Sequence, residues 1–174
     1  MCFGFQVSSR SLVFHPASVL IFSLLGALLY AVWITWRFPC GDLSHHYLYV
    51  VPIVVPFVAF LFDRAEEFCR PPAHAGGSDY SLVIDALVVG ISLLRMAGKV
   101  PAVSGHALFL VYAILRPGSK VTRITAGVVM LEVIYLKFFV WHDLISPVTG
   151  TALAVVAALI TRRCERTSRE GKGN

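Results

Sequence analysis

Ser104-Gly105-His106-Ala107-Leu108-Phe109-Leu110-Val111-Tyr112-Ala113-Ile114-Leu115 sets a polar tripeptide at the head of an uninterrupted apolar run. Arg95 and Lys99 precede it closely. A histidine and two cations at the mouth of an apolar helix are costly to keep if that helix enters a membrane. Chemistry or anion binding is the usual reason for finding them there.

The rest of the chain points to a membrane. Of the 174 residues 57% are hydrophobic and 14% charged, with a mean hydropathy of +0.74. A soluble domain has roughly 45–50% apolar and about 25% charged residues. The expected class is therefore an integral membrane protein. A crossing helix needs roughly 17–25 apolar residues. Six stretches qualify or come close: 17–36, 47–62, 82–98, 104–115, 122–141 and 146–161. The fourth is short. The second contains Pro52 and Pro56 one turn apart, which predicts a kink. No stretch alternates with period two over about ten residues, so a β-barrel is not expected. The expected fold is all-α, a polytopic bundle of about six transmembrane helices. It forms one domain over residues 1–163, followed by a basic, poorly ordered cytoplasmic tail over 164–174.

The first apolar stretch follows Arg10 and ends in Trp33, Trp36 and Arg37. That is an interfacial anchor pattern, so it reads as a retained span and not a cleaved signal peptide. Cys2, Cys40, Cys69 and Cys164 show no paired spacing and imply no disulfide framework or zinc knuckle.

Six spans place Arg10, Arg64, Arg70, Arg116, Lys120, Arg123, Arg162, Arg163, Arg166, Arg169 and Lys172 on one side. The other side receives Arg37, Arg95, Lys99 and Lys137. By the positive-inside rule both termini are cytoplasmic. The outer ends then collect His45, His46, Arg95, Lys99, His106, Lys137, His142, Asp143 and Ser146, which is the pattern of a single outward-facing site.

Each candidate has a structural reading beside the functional one. Arg95 and Lys99 share a helix face and repel unless an anion sits between them; alternatively both snorkel from a helix end. Ser104 is a plausible N-cap, and Gly105 permits close backbone approach. His106 in a first helical turn is unfavourable with the helix dipole when charged. His142 beside Trp141 is a belt residue or a nucleophile. Asp85 and Glu132 lie within apolar spans, where a carboxylate is either functional or paired. Glu132 stands roughly 15 Å of helix rise below His142, so these acids are expected to be structural partners or a transport path. Gly150, Ala154 and Ala158 form a small-residue series that predicts close helix packing.

The order of these pieces resembles the phosphatidic acid phosphatase type 2 superfamily, which includes haloperoxidases and membrane lipid phosphatases. Val103-Ser104-Gly105-His106 is similar to its Pro-Ser-Gly-His signature, with valine for proline. Aligning Val148-Thr149-Gly150 with the small-residue turn after the third signature places His142 on the nucleophilic histidine. Ser146 stands where that family has its orienting aspartate. Tyr135-Leu136 replace Ser-Arg, leaving Lys137 to supply the charge, and Arg95 and Lys99 are a compressed first signature. The resemblance implies phosphoryl transfer without metal or other cofactor, on a lipid-linked phosphate or diphosphate at the outer face. His142 would be the nucleophile and His106 the general acid and base. Arg95, Lys99, Ser104, Gly105 and Lys137 would hold the phosphate. The expected partners are that lipid and the bilayer, with no nucleic acid.

Two other classes stay open. One is a metal-dependent enzyme using His45, His46, His106 and His142 with Asp42 or Asp143; cations close to His106 disfavour it. The other is a non-catalytic transporter or complex subunit built around Asp85 and Glu132.

Overall fold

The computed structural model describes residues 15–38, 46–69, 79–96, 103–116 and 118–170. Among these the chain is all α, with no strand. The helices are α1 (Pro16–Arg37), α2 (Val51–Cys69), α3 (Asp79–Met96), α4 (Gly105–Leu115), α5 (Lys120–Tyr135) and α6 (Ile145–Glu170). A π-helical turn, His46–Val50, leads into α2, and another, Leu136–Val140, extends α5. Lys99, His45 and Asp42 lie outside the described residues, as does the side chain of His46.

The shortest helix is the hub. At 1.5 Å per residue the eleven residues of α4 cover about 16 Å, half of a hydrocarbon layer of about 30 Å. Its residues 105–110, Tyr112 and Ala113 are all buried. It packs against α2, α3, α5 and α6, while α1 packs chiefly on α2. A helix that is apolar all round belongs in a core, and here neighbouring helices supply that core. Phe60, Val88, Ala126, Val129, Val133, Ala154 and Ala158 close around it.

Small residues set how closely α6 approaches. A Cβ on Gly150 would lie 2.5 Å from the Ser104 carbonyl oxygen and 3.1 Å from the Leu108 nitrogen, so only glycine fits there. Ala154 and Ala158 continue the contact fully buried, and the packing expected from the small-residue series is present. On the other flank a Cβ on Gly105 would meet the Ser92 carbonyl oxygen of α3 at 2.7 Å.

Helix ends follow local chemistry. Ser104 Oγ accepts from Ala107 N–H at 3.4 Å, and Ser119 Oγ caps α5 through Thr122 N–H at 3.2 Å. Asp63 on α2 accepts from Ser119 N–H at 2.9 Å, which ties α2 to the α4–α5 turn. Pro56 is buried inside α2. Pro52 cannot donate to the carbonyl four residues back, and the π-helical turn ends just before it. Beyond residue 163, where the sequence predicts a loose tail, α6 continues to Glu170. Arginine and glutamate are good helix formers, and Thr167 Oγ1 bonds the Arg163 carbonyl at 3.1 Å.

The outside of the bundle is apolar. Trp36 is 78% exposed, Leu131 and Phe139 are each 70% exposed, and Ile21, Leu28, Leu29, Leu87 and Leu159 are also exposed. Such continuous apolar exposure marks a surface that meets lipid or protein. Two segments, α1 and residues Ile145–Thr167 of α6, are long and apolar enough to cross a membrane.

Candidate functional site

The predicted site residues that are described gather at one end of the bundle, where α3 ends, α4 begins, and α5 gives way to α6. Arg95 Nε donates to the Val103 carbonyl at 2.8 Å, which holds the segment entering α4 against α3. Ser104 N–H donates to the Ser146 carbonyl at 2.9 Å, which locks the start of α4 to the start of α6. Lys137 Nζ lies 2.8 Å from Asp143 Oδ2 and 3.4 Å from Ser146 Oγ. Ser146 also donates to Asp143 through its hydroxyl and through its N–H at 3.2 Å. Hydrogen bonds from Lys137 and Ser146 pull the Asp143 carboxyl down to about 2 from an ordinary 3.8.

These groups also hold one another in place. Lys137 is the counter-ion of Asp143, and Asp143 is bound to Lys137 and Ser146. Ser104 N–H is spent on Ser146, and Gly105 gives its close approach to the Ser92 backbone of α3. Ser104, Gly105 and His106 are all buried, so the helix N-terminus is a packed junction between α3 and α6.

His142 stands exposed between the π-helical turn and α6 at φ 49°. This left-handed conformation normally ends a helix with glycine. Asp143 N–H closes back on the Lys137 carbonyl at 2.9 Å around it. A β-carbon-bearing residue held there is a local cost, and the sequence alone gives no sign of it.

His106 occupies the other flank of α4. With Gly105, Phe109, Ser92, Val89 and Phe57 it lines an apolar cavity of about 240 Å³, which α1 and α2 also wall. Gly150 of α6 packs instead on Ser104, Ala107 and Leu108. At 100° per residue these two sets lie on nearly opposite sides of the helix. The structure thus joins Arg95, Ser104, Ser146, Lys137 and Asp143 into one rim. His142 is not among the residues that line the His106 cavity.

A second polar cluster sits at the other end of α4. Asp85 is 4% exposed and Arg116 3% exposed, and the two form an ion pair. Tyr112 Oη donates to Asp85 at 2.6 Å and lies 3.1 Å from Thr161 Oγ1. Arg64 approaches Asp85 at 3.7 Å and pairs with Glu67, which lies 3.6 Å from Arg116. Four helices, α2, α3, α4 and α6, are thereby tied together. Sequence reading singled out Asp85 but not its partners: Tyr112 looked apolar within its run, and Arg116 looked like a loop charge. Glu132 is half-buried and makes no ion pair among the described residues.

Among the described residues no group of three or more histidine, cysteine or acidic side chains is arranged to hold a metal ion. No protein-family model, curated protein or solved structure matches the chain.

Proposed function

We propose that the chain is a polytopic helical membrane protein whose Arg95–Ser104–Ser146–Lys137 rim receives a lipid-linked phosphate or diphosphate. The His106 cavity takes the first part of the lipid's apolar chain. The reading rests on one observation: the cationic rim and the apolar cavity share a wall. Gly105 lies against both Arg95 and Ser92, and it lines the cavity beside His106. A lipid phosphate needs this pairing of charge and apolar space; a free phosphate does not. Exposed apolar flanks support placing the bundle in a bilayer. The excess of Lys and Arg in the loops at the end away from the rim supports an orientation with both termini cytoplasmic and the rim outside.

The reaction is the one implied by the resemblance to lipid phosphatases. The His142 imidazole stands outside the His106 cavity, so hydrolysis requires its exposed ring to turn across the rim toward the phosphate. It then attacks phosphorus and the P–O bond to the lipid breaks. His106 gives a proton to the departing alkoxide. Water, deprotonated by His106, then attacks the phosphohistidine, releasing phosphate and restoring His142. Arg95 and Lys137 offset the charge spread over the phosphoryl oxygens. The test is phosphate release from phosphatidate, phosphatidylglycerophosphate and polyprenyl diphosphate by the full chain in nanodiscs with EDTA present. Release that falls at least about a hundredfold in His106→Ala and His142→Ala supports hydrolysis; absent or unchanged release contradicts it.

The opposite flanks occupied by His106 and Gly150 on α4 favour a second reading, in which the rim binds the lipid phosphate without turning it over. Binding of phosphatidate that is weakened in Arg95→Gln, without phosphate release, selects that reading.

A further inference from the structure

At the end of α4 away from the rim, an open groove of about 480 Å³ is lined by Leu115, Arg116, Arg123, Arg162, Glu165 and Arg166. Four guanidinium groups face one carboxylate there, and their prior commitments differ. Arg116 is neutralised by Asp85 and lies 3.6 Å from Glu67. Arg162 Nη2 is fixed on the Leu115 carbonyl at 2.7 Å, which orients its fork over the end of α4 without neutralising it. Arg123 and Arg166 are exposed and carry no ion pair among the described residues. Arg162 and Arg166 are one turn apart on α6, where like charges repel.

We propose that this groove binds the phosphate of an anionic lipid headgroup. Guanidinium forks from α5 and α6 suit the oxygens of a phosphodiester, and a bound anion relieves the repulsion along α6. A neighbouring feature selects lipid over free phosphate. Leu159, 59% exposed, precedes Arg162 and Arg166 by three and seven residues. The three therefore share a helix face that changes from apolar to basic along its length. Exposed Ile124 adjoins Arg123 on α5. Acyl chains running along this apolar surface bring the headgroup to the groove. The site is independent of the rim, standing at the opposite end of α4.

The experiment is thermal unfolding of the full chain in detergent, titrated with dioctanoyl-phosphatidylglycerol, dioctanoyl-phosphatidylcholine or inorganic phosphate. The phosphatidylglycerol is expected to raise the midpoint saturably, with an apparent affinity about tenfold or more weaker in Arg123→Gln and Arg166→Gln. Arg163→Gln, an exposed change on the same helix outside the groove, retains the wild-type response and shows that loss of charge alone is not the cause. Phosphatidylcholine gives no shift. No phosphatidylglycerol shift, or one equal in the groove variants, overturns the site. Inorganic phosphate matching the lipid at equal concentration overturns its assignment to a lipid.

Discussion

His142 is the residue whose local cost and proposed use can be separated. Its left-handed backbone costs about 1–2 kcal/mol relative to glycine, so His142→Gly should raise stability by about 1 kcal/mol in denaturant or thermal unfolding. Under the hydrolytic proposal the same variant loses phosphate release, so gain of stability and loss of activity should appear together. Asp143 is testable by pH. Its folded value of about 2 lies below its ordinary 3.8, so the stabilisation is fully present above about pH 4 and is lost as pH falls through 2. Unfolding midpoints measured between pH 2 and 5 should therefore fall more steeply in the wild type than in Asp143→Asn. A parallel pair of curves would show that the Lys137–Asp143–Ser146 cluster adds nothing to folding.

The central element is α4, and its contacts divide into close backbone packing at one end and buried charge at the other. Gly150→Ala places a methyl 2.5 Å from a backbone oxygen, which a flexible side chain cannot relieve. A loss of about 1–3 kcal/mol is expected, read as a lowered unfolding midpoint, whereas Gly127→Ala has open space and should be neutral or stabilising. Asp85→Asn leaves the buried Arg116 only the more distant Glu67, at 3.6 Å, as counter-charge and should cost about 3 kcal/mol. Asp85→Leu combined with Arg116→Met should recover most of that loss. All six helices were legible in the sequence because apolar runs between polar breaks survive any tertiary context. The burial of α4 was not, since shortness alone does not say which helix the others surround. Gly150, Ala154 and Ala158 were legible as a packing face, because only small residues repeat at that spacing without another purpose. The full length of α6 was missed because a basic, polar stretch reads equally as a tail or as a solvated helix.

For the whole molecule, charge position and apolar exposure agree on an object that presents hydrocarbon-compatible sides and polar ends. Sequence order alone grouped Arg95, Ser104, Lys137, Asp143 and Ser146 at one end, and the hydrogen bonds Ser104–Ser146 and Arg95–Val103 join them there. Which flank of α4 His106 occupies was beyond the sequence, because a buried helix has no polar face from which to count. That flank places His106 on an apolar cavity sharing Gly105 with the rim, which offers the expected lipid phosphate a place for its apolar chain. The most direct test of that union is the affinity of the full chain for monomeric phosphatidates with dibutanoyl, dihexanoyl and dioctanoyl chains, compared with Val89→Trp, which fills the cavity. Wild-type binding should tighten by up to about fourfold for each methylene buried, at roughly 0.8 kcal/mol per methylene, and the chain-length dependence should flatten in the variant. Equal affinity for all three lipids in the wild type would contradict that union.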